Sequence, residues 1–332
     1  MISVLTVTYG NRWHLLNRVL MRLIEDETIS FILIVNNDVS YNISLLVSEL
    51  NTSKIKLLNL DKNYGSAKAY NIGLSYLAEL NKVNLIWLLD DDNLPLPNAS
   101  RVLLKYWSLI SCHDKNESRA LLSIRKDRKY LMDAAHGLPV KMVFPRGNLF
   151  LGFGIVELVN IIIYKISRKK FLKKGTLLES IKIPMAPYGG LFFHKNILFK
   201  IGLPDERFFV YVDDFEFTYR ITKTGGEIWL ISESEIVDID DSWIIKTQQG
   251  LFKSRYLQQA DFRPYYTIRN YTYFAKYNLV TNPVLFIINI LIYSLYVFFI
   301  AFASGKLQEF KVFCRAIREG IRGDLEQTIA TK

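Results

Sequence analysis

The chain has 332 residues, 50% of them hydrophobic and 14% aromatic, and carries a formal net charge of +10. That size and composition exclude a disordered, fibrous or disulfide-stapled protein and leave room for one large domain or two smaller ones. A positive mean hydropathy of +0.12 beside that charge points to anionic partners, either a membrane surface or substrates such as nucleotides and lipid phosphates. No zinc-finger spacing or single-strand-binding signature accompanies the charge, so nucleic acid is not an expected partner. Cys112 and Cys314 lie far apart without metal-ligand spacing, as in a reducing compartment. The N-terminus opens on a strand-like run with no basic n-region, so no signal peptide is expected.

Residues 2–9 form a short β-branched run closed by Gly10-Asn11, a strand and its turn. Leu15, Leu16, Val19, Leu20 and Leu23 then recur at helical spacing. Residues 31–35 and 55–60 are two further strands, and Gly65 opens a helix through Ala69, Ile72, Leu74 and Leu77. Residues 85–90 are a fourth strand, apolar until it meets Asp90, Asp91 and Asp92. Strand and helix alternate four times in under a hundred residues, which predicts a parallel sheet with helices on both faces. A helix is expected over 97–106. Residues 149–164 are strongly apolar and bordered by Lys165, Arg168, Lys169, Lys170, Lys173 and Lys174, which fits an interfacial element on an anionic leaflet or a core helix followed by a solvated loop. Gly189-Gly190 precedes a strand-like run, where glycines admit a close ligand or backbone. A second acidic pair, Asp213-Asp214, follows an aromatic run, and 227–231 and 236–240 read as two short strands. Residues 284–304 are 21 residues without a charge, long enough for a membrane span. Basic flanks on both sides, Arg269 and Lys276 before and Lys306 to Arg322 after, disfavour a single crossing and suit a re-entrant or interfacial helix. The tail from Lys306 to Arg322 has the pattern of a basic amphipathic helix.

Three adjacent carboxylates at a strand end repel one another unless a cation joins them, and that edge of an α/β sheet is where ligands bind. A solvated acidic turn is the alternative. Asp90 and Asp92, one residue apart, can turn toward a single hard cation, Mn²⁺ or Mg²⁺, with Asp91 left for a sugar hydroxyl or a structural bond. Asp213-Asp214 supplies a carboxylate free to take a proton from an acceptor hydroxyl; as a helix N-terminal charge Asp214 would also be favoured. A cation on the leaving group and a carboxylate on the nucleophile together describe an inverting group transfer. Lys68 suits a donor phosphate or a solvated helix face. Tyr188 is the candidate platform for an acceptor sugar, while Trp87 is expected in the core. His14, His113, His136 and His194 show no ligand spacing.

These residues resemble the inverting family 2 glycosyltransferases of the GT-A fold, which build bacterial surface polysaccharides. Residues 4–12 are similar to the family's first strand and loop, which frame the nucleotide base. Residues 34–38 resemble its second strand end, with Asn36 where the family usually has Asp. Residues 63–73 resemble the Asn-x-Gly…Asn-x-Gly segment near the donor, including Gly65 and Asn71. Asp90-Asp91-Asp92 stands at the Asp-x-Asp metal site, and residues 189–214 resemble the acceptor-side segment whose second acid, Asp214, is the base. Asp238 stands where some relatives carry a metal-binding His. Tyr265-Tyr266, Arg269-Asn270 and the Gly-spaced tail around Gly320 resemble segments of rhamnosyl- and galactofuranosyltransferase-like members.

The resemblance implies a Rossmann-like mixed sheet in a catalytic domain over residues 1–245, with its nucleotide-sugar half at 1–110 and its acceptor half at 180–245. A hydrophobic and amphipathic helical extension follows at 246–332. It implies transfer from a UDP- or dTDP-sugar to a lipid-linked glycan on the cytoplasmic face of the inner membrane. Thr8, Asn36, Asp61, Gly65, Lys68, Asn71 and Asp91 would meet the donor. Asp90, Asp92 and Asp238 would hold the metal, and Tyr188, Gly189, Gly190 and Asp213 would line the acceptor side. The competing readings are a nucleotidyltransferase, which normally adds a Gly-rich basic loop that residues 9–12 lack, and a non-catalytic membrane adaptor.

Overall fold

A computed structural model describes residues 1–111, 115–158, 163–164, 168, 175–240, 254–257 and 262–326. Cys112, His113 and most of the basic border expected at 165–174 lie outside the described residues; Arg168 is inside them. The chain divides into two compact units. The first comprises Met1–Val140, Phe171–Glu206 and Asp214–Asp240, the second Lys141–Lys170, Arg207–Asp213 and Asp241–Lys332. The second unit thus takes in two segments from before residue 245 as well as the C-terminal part.

The first unit is a nine-stranded mixed sheet. Its N-terminal half alternates β1 (Ile2–Gly10), α1 (Trp13–Glu25), β2 (Ile29–Val39), α2 (Ile43–Ser48), β3 (Ile55–Asn59), α3 (Gly65–Glu79) and β4 (Leu85–Asp90). These strands lie in the order β3-β2-β1-β4 and pair in parallel, as the alternation predicts. α1 buries Leu15, Leu16, Val19, Leu20 and Leu23, the five positions of its apolar stripe. Trp87 is fully buried in β4.

Beyond β4 the sheet turns mixed. β5 (Asn93–Pro95) and α4 (Ala99–Leu109) lead to β6 (Arg119–Ile124) and α5 (Lys129–Ala135), then β7 (Ser180–Ile183), β8 (Leu191–His194), α6 (Ile197–Ile201), α7 (Asp213–Lys223) and β9 (Glu227–Asp238). β8 runs antiparallel between β4 and β6. The two short strands expected at 227–240 are one strand, β9. Its first half pairs in parallel with β6, the register slips between Ser123 and Ile124, and the far half pairs with β5. The irregularity reads as a break in sequence, but the backbone continues through it as a bulge.

In the second unit α8 (Phe262–Phe274), α9 (Pro283–Ala303) and α10 (Leu307–Arg322) carry the structure. α9 starts on Asn282, whose side chain accepts from the Leu285 N–H, with Pro283 in the first turn. It is long and apolar enough to cross a membrane by length and composition. Residues 149–158 do not continue as the apolar element expected for 149–164. Phe150 and Phe153 pair as an isolated bridge, with Phe150 fully buried against Phe286, Tyr293 and Phe313. Asn289 of α9 faces that segment, accepting from the Ile155 N–H at 3.0 Å and donating to the Asn148 carbonyl at 2.7 Å.

Candidate active site

Register places the expected residues along one edge of the sheet. Thr8 pairs with Asn36, Asn36 with Asn59 and Val7 with Asp90, so the carboxyl ends of β3, β2, β1 and β4 are level. The acidic run after β4 is held by arginines, which the sequence reading did not anticipate. Arg12 donates through Nε to both oxygens of Asp91 at 2.9 and 3.0 Å, through Nη2 to Asp92 at 2.6 Å and through Nη1 to Asp240 at 2.7 Å. Thr8 donates its hydroxyl to Asp91 at 2.8 Å. Thr8 and Asp91 are both buried, so of the two roles open to Asp91 the structure realises the structural bond. Burial alone would lower Arg12's affinity for its proton; Asp91 and Asp92 more than offset this, and the guanidinium stays charged.

Burial wins on the carboxylates. It raises Asp91 to about 6 against the pull of Arg12 and Thr8. Asp92 rises to about 8, through burial first and then through repulsion from Asp90, Asp91 and Asp238. Arg12 therefore does not keep the whole cluster ionised, and Asp92 holds its proton near neutral pH. Asp90 is the most open member, 41% exposed, accepting from the Tyr70 hydroxyl at 2.9 Å and lying 3.8 Å from Arg125.

Asp238, expected to complete the metal shell, is held by two arginines. Its side chain is 5% exposed and pairs with Arg125 and, at 3.2 Å, Arg128. Both guanidiniums lie on Oδ2, while Oδ1 accepts from the Asp240 N–H at 3.3 Å. Among the described residues no group of three or more metal-capable side chains is preassembled. Asp90 and Asp92 still fit a hard divalent cation, because Mg²⁺-type ions are commonly held by one or two carboxylates plus substrate phosphates. Such an ion would displace the proton that burial and neighbouring carboxylates leave on Asp92.

Gly189 is packed beneath this cluster. A Cβ there would lie 2.0 Å from Asn93 Oδ1 and 2.8 Å from Asp90 Oδ2, so the group it admits is the acidic loop itself. Gly190, at φ +96°, donates its N–H to the Leu88 carbonyl and ties the segment to β4. Tyr188 is 5% exposed and its ring lies 4.2 Å from that of Tyr70, with Phe217 behind it. It backs Tyr70 and offers no open face for a sugar.

Asp214 stands in the first turn of α7, where one oxygen accepts from the Phe215 N–H at 2.8 Å. Burial raises it to about 7. The Phe215 N–H and Arg128 act against that shift, and the charge of Asp90 adds to it. Asp213, before it, is buried.

The expected donor residues take different places. Asn36 is spent on the edge itself, donating to Asn59 and accepting from the Val39 N–H. Asn37, which the sequence reading passed over, is buried and shapes the next turn: it accepts from the Tyr64 N–H at 2.9 Å and donates to Asn63 and the Gly65 carbonyl. Gly65 begins α3 at φ +79°. Asn71 donates to the Pro204 carbonyl at 2.7 Å, which ties α3 to the acceptor-side segment. Lys68 pairs at 3.2 Å with Glu206, both half exposed, and lies over the Tyr64 ring. Asp61 is exposed beside the Tyr64 hydroxyl.

A parallel βα half carrying Asp-Asp-Asp at its carboxyl edge, joined to a mixed half carrying a helix-capping Asp, is the architecture of a GT-A glycosyltransferase, and residues 3–109 match the family described as Glycosyl transferase family 2. That match covers the N-terminal third of the chain, which is similar to this family there. It is 23% identical to the dTDP-rhamnosyl transferase RfbF of Shigella flexneri over 325 residues, 97% of this chain and 96% of that protein. Two solved structures share the fold. GalNAc-T7 with UDP, GalNAc and Mn²⁺ has a TM-score of 0.53 at 16% identity over 83% of this chain, which spans only 47% of GalNAc-T7. S. aureus TarS 1–349 in complex with UDP-GlcNAc has a TM-score of 0.50 at 14% identity, covering 97% of this chain and 80% of TarS 1–349.

Proposed function

We propose that the protein transfers a sugar, with inversion, from a UDP- or dTDP-linked donor to a lipid-linked glycan at the cytoplasmic surface of a bacterial membrane, in the assembly of a surface polysaccharide. The observation that carries this reading is the pairing of two unlike carboxylate sites within one unit: an Asp90–Asp92 strand end whose Asp90 is open to solvent, and Asp214 in the first turn of α7, raised to about 7 with Asp90 in its field. Asp90 and Asp92 would hold Mn²⁺ or Mg²⁺ against the donor diphosphate, and the ion would neutralise charge growing on the leaving group. Asp214 takes the proton of the acceptor hydroxyl as its oxygen bonds to the anomeric carbon and the bond to the diphosphate breaks. A base near neutrality is half ionised at working pH and still strong enough to accept that proton. The turn built by Asn37, Asn63 and Gly65 and the side chain of Lys68 border the donor, and the Gly189-Gly190 segment borders the acceptor. Residues 1–245 are assigned to catalysis and 246–332 to the membrane surface. The names of RfbF and of the UDP-bound TarS support a nucleotide-sugar donor.

The test is a thermal-shift screen of UDP- and dTDP-sugars with and without Mn²⁺, followed by transfer to a polyprenyl-diphosphate-linked acceptor. One donor should raise the melting temperature only with the metal, and the same donor should be consumed in transfer. Stabilisation by no nucleotide sugar would end this reading.

A further inference from the structure

We propose that the protein docks on an anionic bilayer through the hairpin of α9 and α10, with α9 lying in the interface plane and not crossing the bilayer. The inference rests on the membrane-surface reading above and names the surface and its geometry.

Val284, Ile287, Leu291, Leu295, Phe299 and Phe302 recur every third or fourth residue along α9 and are 42% to 69% exposed. The opposite stripe, including Phe286, Asn289, Ile290 and Val297, is buried in the second unit. The helix therefore has one apolar face turned outward and one committed to protein. The committed face argues against a crossing. Asn289 is bonded to the backbone of Asn148 and Ile155, and that segment carries the Arg146–Glu157 ion pair. A spanning α9 would draw this pair and irregular backbone to membrane depth, where both are costly.

The occupant follows from charge. After the tight turn at Ser304 to Lys306, α10 exposes Lys311, Arg315, Arg318 and Arg322 along one stripe. Among the described residues Arg315 has Glu319 as partner, while Lys311, Arg318 and Arg322 have no carboxylate within ion-pair distance. An exposed apolar face on one helix and unneutralised cations on the next match the boundary between acyl chains and anionic headgroups. A second copy of the chain would set like charge against like across a two-fold contact. Lys276 before α9 and Lys306 after it both stay on one leaflet when the helix lies in plane, as the distribution of positive flanks requires.

Flotation of the full chain with vesicles tests this. It should float with phosphatidylcholine–phosphatidylglycerol vesicles, float weakly with phosphatidylcholine alone, and leave native membranes in alkaline carbonate. Leu291→Glu/Phe299→Glu should cut the bound fraction about tenfold with an unchanged melting curve, since both side chains are exposed. Lys311→Glu/Arg318→Glu should remove the preference for anionic lipid. Resistance to carbonate overturns the in-plane geometry. Unchanged flotation of both variants overturns the surface while leaving membrane association standing, and a wild-type chain that binds no vesicle overturns both readings. Loss of self-association in the apolar variant, without lipid binding by the wild type, assigns the face to a second copy and overturns the proposal.

Discussion

The two acidic centres of the first unit are made of the same side chain and behave differently because their surroundings differ. At Asp90–Asp92, Asp91 and Asp92 share the Arg12 guanidinium with Asp240, Asp90 lies near Arg125, and Asp92 is pushed up to about 8 by burial first and then by its carboxylate neighbours. Asp214 has a backbone N–H and a more distant arginine, and burial sets its position at about 7. Burial raises both, and at the first centre the crowding of like charge adds to it. Under the proposed function a cation would complete the one and a proton the other. Spatial environment, and not residue type, divides the labour.

Four substitutions break or sharpen that contrast, and Asp214→Asn is the most severe. It should lower the transfer rate by about 10³-fold or more, within the range for loss of a general base, with metal-dependent donor binding retained in a thermal-shift assay. In the wild type, kcat/KM should fall as pH drops through about 7, because the base must be ionised, and the residual activity of the variant should show no such limb. The same group acts oppositely on stability. The folded chain keeps this proton up to about pH 7 and the unfolded chain releases it near about 3.9, so its contribution is full below that lower value and is lost as pH rises toward 7.

Arg12→Met tests the other centre. Removing one partner from a buried ion pair leaves Asp91 uncompensated and should cost about 3–5 kcal/mol, read as a lower denaturation midpoint that Mn²⁺ partly restores. Asn270→Ala comes next. Asn270 donates to the carbonyls of Phe208, Val210 and Tyr211 at 2.8 to 2.9 Å, and in that loop Phe209, Tyr211 and Val212 hold φ between 65° and 67°. Positive φ at a β-branched valine persists only under such restraint. The loss should be about 2–3 kcal/mol, measured by urea titration, and Asn270→Asp should not rescue it, since a carboxylate cannot donate. Gly189→Ala is the mildest. Its methyl must displace Asn93 or Asp90 at a cost of about 1–3 kcal/mol, and the signature is a raised Mn²⁺ requirement larger than the change in melting temperature.

The parts legible in sequence are those set by neighbours along the chain. The apolar stripe of α1, the four parallel strands and the uncharged run of α9 each follow from local periodicity, and their order was enough to predict the first half of the sheet. The acidic residues were visible because carboxylates at strand ends are conspicuous. Their partners were not. Arg12 meets Asp91 across 79 positions and Asp240 across 228, and Arg128 meets Asp238 across 110, so no spacing rule connects them. Tyr188 misled because an aromatic beside two glycines resembles a binding platform until Tyr70 covers its face. Asn37 looked like one more polar residue at a strand end, and its role depends on a turn 26 residues later. Asn270 could be noticed through its neighbours but not explained, because the loop that it restrains is out of its sequence range.

Asn289 has a consequence for the helix that contains it. An apolar cylinder packed only by greasy contacts can roll about its axis at little cost, since one ridge of leucine and phenylalanine substitutes for another. The amide of Asn289, bonded on one side to Ile155 and on the other to Asn148, acts as a key in a slot. Rolling by a single residue would break both part-buried hydrogen bonds, each worth about 1 kcal/mol. The polar residue thus sets the rotational phase of α9, and which apolar side chains face outward is decided by the one amide that faces in.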